Sequence, residues 1–303
     1  MNNAIEIKNL TKKYDKLTAV SGISFEVQKN EVFGLLGENG AGKTTTLEMI
    51  EGLRKPTSGE IIVLNHNFKE GINSIKEKIG VQLQSSAYFN FLTLKEILDL
   101  FGSFYSHHLN SLELLKMVGL EDKAKSYVGN LSGGQKQRFS IVASLINDPQ
   151  IVFLDEPTTG LDPLARRHTW DIITEIKKQG KTIVLTTHYM EEAEMLCDRV
   201  AIMEKGKIVA LDDTHKLVER AKKPFKLNFY SRIDKNCLEK LQALGEIENV
   251  LGKSDHFEMK FKTQANLNQA LLLVQKTNPE SLTVGRANLE DVFLELTGKL
   301  IEE

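Results

Sequence analysis

The sequence predicts an α/β chain. A mixed sheet surrounds a phosphate-binding loop, an antiparallel β subdomain and a helical subdomain flank it, and a small α+β domain follows. Three observations carry this. Short apolar runs, VFGLL at Val32 to Leu36, IVFL from Ile151 and KTIVLTT from Lys181, read as strands buried on both faces of a parallel sheet. The first run leads into GENGAGKTT, Gly37 to Thr45, and then into TTTLEMIEGL, which has helical character. Beyond Pro224 the element order reads β-α-β-β-α-β.

GENGAGKTT fits the pattern G-x-x-x-x-G-K-[ST], with Gly37, Gly42, Lys43 and Thr44 at its fixed positions. Glycines at the turns let backbone N–H groups point inward at phosphate oxygens. A helix starting at the loop adds its positive dipole end. Lys43 supplies a point charge to the outer phosphates, and the Thr44 hydroxyl can ligate Mg²⁺. Chance produces the pattern in roughly one chain in a hundred of this length. The strand before it and the helix after it are the setting that the motif requires.

Taken in order, residues 5–36 alternate apolar and polar side chains. Ile5 and Ile7 face one way, as do Ile23, Phe25 and Val27, which predicts antiparallel strands with one wet face. Tyr14 is expected in a polar link between these strands, either as an aromatic platform for a purine or as a surface packing residue. After the turn cluster Pro56-Thr57-Ser58-Gly59, GEIIVLN reads as a strand, and KEKIGVQL leads to Gln84. Residues from about 85 to 147 read as helical. Thr93 and Glu96 form a capping box there, and Leu112, Leu115, Met117 and Leu120 mark a further short helix. His107 and His108 in the polar connection are read as solvated.

LSGGQ follows, and it arises by chance in on the order of one in a few thousand chains. Ser132 and Gln135 have capping-box spacing around Gly133 and Gly134, so this helix start is either an ordinary N-cap or a second anion site. IVFLDEP ends in Asp155 and Glu156 at the carboxyl end of a strand, where parallel sheets bind ligands. One acid there suits Mg²⁺ and its neighbour suits a water. His188 ends the next apolar strand and reads either as a surface histidine or as a phosphate contact. A hairpin is expected at Lys205-Gly206. A domain boundary is expected at 221–225, giving a first domain of 1–221 and an accessory domain of 225–303. The tail has the pattern of a ferredoxin-like domain and no catalytic constellation, so its expected work is contact or regulation.

The bulk numbers exclude some classes. A net charge of −2 over 303 residues gives no electrostatic footprint for nucleic acid or acidic lipid. Two cysteines in unrelated contexts favour a reduced, cytosolic setting over a disulfide or metal site. The longest charge-free run, Ile79 to Leu94, is too short and polar to span a bilayer. The chain is expected to be soluble by itself, with any membrane part supplied by another chain.

Together these strings resemble the ATP-binding subunit of an ATP-binding-cassette (ABC) transporter, over about residues 4 to 220. GENGAGKTT looks like the Walker A loop, Gln84 the Q-loop glutamine, LSGGQ the family signature, and IVFLDE Walker B with its catalytic glutamate. Gly160 to Asp162 looks like the D-loop, His188 the switch histidine, and Tyr14 the aromatic that stacks on adenine. The resemblance implies a P-loop NTPase cassette that binds ATP and Mg²⁺. Gly37, Asn39, Gly40, Ala41, Gly42, Lys43, Thr44 and Thr45 would hold phosphates; Thr44, Gln84 and Asp155 would place the metal. Glu156 would polarise the attacking water and His188 would contact the γ-phosphate. The signature residues Ser132, Gly133, Gly134 and Gln135, with Asp162, would reach the nucleotide from a second copy in an ATP-bound homodimer. Within the family, TTHYMEEAEMLCDRVAIM and ANLEDVFLELTG look like subunits that drive export of drugs, lipids, sodium or polysaccharides. The implied partner is a separate integral membrane permease, gripped by the segment after Gln84, and the implied location is the cytoplasmic face of the cell membrane.

Other classes fit less well. A soluble cassette acting on ribosomes or nucleic acid usually has two cassettes or a long coiled coil, and this chain has one cassette and no heptad run. A GTPase or small-molecule kinase has no use for LSGGQ, and no N-K-x-D string is present.

Overall fold

The computed structural model describes residues 3–82, 88–249 and 255–298. The chain forms two compact units that meet at 213/214.

The first unit holds two sheets. In one, β1 (Asn3–Tyr14) pairs antiparallel with β2 (Leu17–Gln28) on one side and β4 (Ser58–Val63) on the other, with the short β5 (His66–Asn67) beyond. The expected alternation is present. Ile5, Ile7, Ile23, Phe25 and Val27 are buried, while Ser24, Glu26 and Gln28 face water. Tyr14 differs from expectation: it is the last residue of β1, paired with Leu17, and not part of the link.

The second sheet has the order β10-β9-β3-β8-β7-β6. β3 (Val32–Leu36), β6 (Ile79–Gln82), β7 (Ile151–Asp155), β8 (Thr182–Thr187) and β9 (Arg199–Glu204) run parallel. β10 (Lys207–Asp213) returns antiparallel through the Lys205-Gly206 hairpin. Every residue of β3, β7 and β8 is buried, as their continuous apolar runs require. Phe25 stacks on Phe33 at 5.2 Å, so the two sheets share one core.

Helices α1 (Lys43–Glu51), α6 (Pro163–Lys178) and α7 (Met190–Leu196) follow strands β3, β7 and β8. The helical subdomain contains α3 (Leu94–Gly102), α4 (Ser111–Met117) and α5 (Gly133–Ala143), with 3-10 turns at Glu121–Lys123 and Val128–Asn130. Capping boxes form at both positions where the spacing predicts them, Thr93 with Glu96 and Ser132 with Gln135. α2 (Phe68–Lys76) was not expected. Its apolar positions, Phe68, Ile72 and Ile75, have helical spacing, but Gly71 and Asn73 interrupt its propensity.

The second unit begins with α8 (Thr214–Glu219) and continues β11 (Phe225–Tyr230), α9 (Lys235–Gln242), β12 (Glu246–Asn249), β13 (His256–Phe261), α10 (Gln264–Gln275), β14 (Ser281–Arg286) and α11 (Leu289–Thr297). Its sheet is antiparallel throughout, with order β12-β13-β11-β14, the split βαβ arrangement that the element order predicts. Leu227, Phe229, Phe257, Met259 and Phe261 face α9 and α10 in a separate core. The expected boundary at 221–225 is corrected to 213/214, because α8 packs with α11 in this unit. The lysines and Pro224 are a loop inside it.

The other face of this sheet carries a buried ion cluster. Asp291 of α11 pairs with Lys226 at 2.6 Å and Lys260 at 3.0 Å, and it also closes a capping box with Asn288. Burial pushes the Asp291 carboxyl up, but Lys226, the Asn288 amide and Lys260 outweigh it and hold the group below its usual range. A depressed carboxyl contributes stability above its unfolded value that is lost as pH falls through the folded one. Asp291→Ala leaves two half-buried ammonium groups, of which Lys226 loses its carboxylate and Lys260 keeps only Glu258 Oε1 at 3.4 Å. It is expected to destabilise the second unit by about 3 kcal/mol at pH 7, read by hydrogen exchange over residues 225–297. The loss should shrink near pH 3.

Candidate nucleotide site

β3 ends at Leu36 and the chain turns through Gly37 to Gly42 into α1. Gly42 is the N-cap, with φ 102°, and no side chain caps the helix, so the first-turn N–H groups are free to take an external acceptor. A side chain at Gly42 would meet the Ala19 carbonyl at 2.5 Å, and one at Gly37 would meet the Met203 carbonyl at 2.4 Å. The loop is therefore seated tightly between β2 and β9. Lys43 is buried and donates from Nζ to the carbonyls of Gly37 (2.7 Å) and Glu38 (3.2 Å). The same ammonium lies 3.5 Å from Glu156 Oε1.

The acids follow β7. Asp155 is buried and accepts from the hydroxyls of Thr186 (2.5 Å) and Thr44 (3.2 Å). Burial still raises its carboxyl against these bonds. Glu156 takes a positive φ of 47°, a conformation rare outside glycine, with its N–H bonded to Thr186 Oγ1 at 2.9 Å. Such strain collects at functional positions. His188 Nδ1 stands 3.4 Å from Glu156 Oε1, an electrostatic contact more than a closed hydrogen bond. The nearby His188 ring, with Lys43, draws the Glu156 carboxyl down to about 2 against the opposing effect of burial.

Tyr14, Asn39, Gly40, Gly42, Lys43, Thr44, Thr45 and Glu156 line one cavity of about 560 Å³. The Tyr14 ring is 36% exposed, with Lys12 Nζ at 4.9 Å and Arg54 at 5.5 Å from its centroid. A partly exposed aromatic ring at one end and a cationic loop at the other match a base at one end of a nucleotide and phosphates at the other. Gly37 and Ala41 belong to the same loop but are buried and do not line the cavity. The Thr44 hydroxyl and the Asp155 carboxylate form the partial oxygen set that Mg²⁺ takes when phosphates and water complete it. Gln84 falls outside the described residues. Among the described residues no group of three or more His, Cys, Asp or Glu could hold a metal, and His107 and His108 are exposed as expected.

The remaining candidates lie elsewhere. Ser132, Gly133, Gly134, Gln135 and Asp162 line a second cleft of about 410 Å³ that shares no residue with the first. The Ser132 hydroxyl accepts from Gln135 N–H at 3.3 Å, and Asp162 caps α6 by accepting from Leu164 and Ala165 N–H. Both serve as N-caps whatever else they do.

Sequence reasoning missed Thr18, Ala19, Lys205 and Gly206 in the first cavity and Thr186 under the acids. Thr186 had a signal, since it is the polar residue near the end of an apolar strand. Lys205 and Gly206 arrive through the β3–β9 neighbour relation, and Thr18 and Ala19 because β2 flanks the loop; neither leaves a local mark.

Glu51 was also missed. It ends α1, is buried, and its Oε1 has no hydrogen-bond partner. Burial, then Asp155 and Glu48, push its carboxyl up to about 8. The unfolded chain loses this proton from about pH 4.5 upward and the folded chain keeps it to about 8, so stability falls across that window. Glu51→Gln is expected to stabilise the protein by about 2 kcal/mol at pH 7 and by little at pH 4.5. Denaturant midpoints of both proteins at the two pH values check this.

The comparisons agree with this geometry. Residues 20–159 match the family model described as ABC transporter. The "Nod factor export ATP-binding protein I" of Burkholderia lata is 35% identical over 316 aligned positions, covering 99% of this chain and 98% of that protein. The "Linearmycin resistance ATP-binding protein LnrL" of Bacillus subtilis is 36% identical, covering 99% of this chain and 100% of that protein. The dimeric post-hydrolysis structure of the ATP-binding cassette MJ0796 bound to ADP and Pi aligns at a TM-score of 0.64 with 29% identity, over 69% of this chain and 98% of that one. A walled phosphate loop, a signature helix and similarity along the whole chain meet in one conclusion: this protein belongs to the ATP-binding proteins of ABC transporters, and it is an ATPase.

Proposed function

We propose that two copies of this chain close head to tail on two ATP molecules, hydrolyse them, and so power export through a separate membrane permease. The observation that carries the reading is the separation of the nucleotide contacts into two clefts that share no residue. One copy supplies the loop, the acids and His188. The other supplies Ser132, Gly133, Gly134, Gln135 and Asp162.

In this reading Tyr14 stacks on adenine, and the backbone of Asn39 to Thr45 with Lys43 holds the phosphates. Thr44 and Asp155, joined by Gln84, hold Mg²⁺, which screens the phosphate charge when bound. Glu156 orients the attacking water and takes its proton, and His188 contacts the γ-phosphate. Lys43 is close to both Glu156 and the loop carbonyls, so substrate phosphates drawing it away remove one of the groups that keep Glu156 a weak base.

Among the described residues no helix is long and apolar enough to cross a membrane. The helical subdomain exposes Phe89, Phe91 and Phe104, with Phe91 92% exposed; Phe89 and Phe91 follow Gln84 closely in sequence. Isolated apolar residues are ordinary, but three exposed aromatics in one subdomain suit a protein partner. The relatives' names speak of Nod factor export and linearmycin resistance. Export of a drug, lipid, ion or polysaccharide by a complex at the cytoplasmic membrane face fits both. The second unit, 214–298, acts as a contact or regulatory module. The test is affinity purification from native membranes in mild detergent with mass spectrometry. Recovery of a polytopic membrane protein at similar abundance supports the reading; recovery with ribosomes or soluble partners alone overturns it.

A further inference from the structure

The first turn of α6 lines the second cleft through Leu164 and Ala165. Asp162 caps it and lines the second cleft. One turn on, Arg166 donates its N–H to the Asp162 carbonyl at 2.9 Å. Its guanidinium lies 4.3 Å from the centroid of the Tyr189 ring, and its Nε is buried with no hydrogen-bond partner. Arg166 is half-buried with its Nε shielded from water, and its charge also acts on Glu192, so the aromatic face is a close contact of a partly desolvated cation, where cation–π attraction gains strength. The Tyr189 ring in turn lies 4.1 Å from the His188 ring, and His188 faces Glu156 at 3.4 Å. The line Asp162, Arg166, Tyr189, His188, Glu156 is unbroken.

A second tie runs beside it. Trp170, one turn beyond Arg166, donates to Glu192 Oε1 at 3.2 Å, and the Thr158 hydroxyl donates to the same oxygen at 2.8 Å. Thr158 belongs to the turn after Glu156, and Glu192 belongs to α7, whose N-cap is Tyr189. This tie fixes the backbones of the turn and of α7. It does not set the His188 ring, which has no closed hydrogen bond at Nδ1 to orient it.

We infer that Arg166 is a positioning residue: through the Tyr189 ring it holds His188 against Glu156 and links that histidine to the loop at the second cleft. Of the groups in this line only the Asp162 carboxylate faces the second cleft, so a shift of α6 there reaches His188 by way of Arg166. The inference rests on the ATPase reading for its kinetic test and not for its structural one.

The test uses the full chain with Arg166→Met, which keeps the aliphatic bulk and removes the cation, and Arg166→Lys, which keeps the cation. Arg166→Met is expected to lower kcat for ATP at least tenfold with KM within about twofold, and Arg166→Lys to recover most of the loss. Tyr189→Leu should match Arg166→Met, and the double variant should be no worse than either, since the two residues act as a unit. In nucleotide-free protein, the His188 ring resonances should move in Arg166→Met and return in Arg166→Lys. Unmoved resonances, unchanged kcat in Arg166→Met, or additive losses in the double variant overturn the inference. A wild-type protein without ATPase activity would refute the functional reading alone, and the resonances would still decide this one.

Discussion

Glu156→Gln is expected to lower kcat for ATP hydrolysis by about 10²- to 10⁴-fold, the range for loss of a positioned general base. The dissociation constant for ATP should change by less than threefold. The variant keeps the side-chain volume in a site where Glu156 is buried, with Lys43, His188 and Thr159 as neighbours. Removing the charge also removes an ion-pair partner from Lys43, which frees that ammonium for phosphate. Binding should therefore hold or tighten while turnover collapses. Single-turnover hydrolysis and equilibrium binding of a fluorescent ATP analogue, run on the same preparation, separate the two effects. Turnover within tenfold of the wild type would remove Glu156 from the role of base and leave Asp155 and His188 as the nearest groups to reconsider.

Lys43→Ala is expected to act in the opposite order. The ammonium is buried, and the same Nζ that bonds two loop carbonyls is the nearest point charge for a phosphate. Loss of one charge-assisted contact of this kind weakens binding by about 2 kcal/mol or more, some thirtyfold in ATP affinity. The loop itself should survive, because backbone packing of Gly37 against Met203 and of Gly42 against Ala19 sets its course. A second consequence follows from charge. Lys43 is one of the groups that, with the His188 ring, draw the Glu156 carboxyl down to about 2, so in Lys43→Ala that carboxyl should titrate higher. Isothermal calorimetry gives the affinity. Unchanged ATP binding would mean that the phosphates do not lie along this loop.

How much of this was legible in the amino acids depends on the range of the interaction. Val32 to Leu36 and Ile151 to Asp155 show as apolar runs because both faces of each strand are covered, so the pattern needs no partner to be read. The capping boxes at Thr93 and Ser132 close within four residues and were equally readable. The fold of the second unit was legible because Phe257, Met259 and Phe261 alternate cleanly and the helices between strands have regular apolar faces.

Non-local facts were not legible. α8 looks like a continuation of the first domain along the chain, and only its packing with α11 moves the boundary to 213/214. Lys205 and Thr18 reach the nucleotide cavity because β9 and β2 flank the loop, a matter of sheet order. Glu51 reads as one more polar residue in a helix, and its burial depends on what packs above it. The motif residues were found one by one, and the resemblance implied their division between two copies; the fold places them in two clefts that share no residue.

That division is the centre of the account, and chemical cross-linking between copies tests it most directly. Two proteins are mixed, one with Asn39→Cys in the first cleft and one with Ser132→Cys in the second, both carrying Cys237→Ser and Glu156→Gln. Cys197 is buried and can stay. A short thiol cross-linker is added with and without ATP. A head-to-tail sandwich predicts a cross-linked species of twice the 34.1 kDa chain mass that appears with ATP and is absent without it. No cross-link with saturating ATP, or the same yield in its absence, contradicts the shared site.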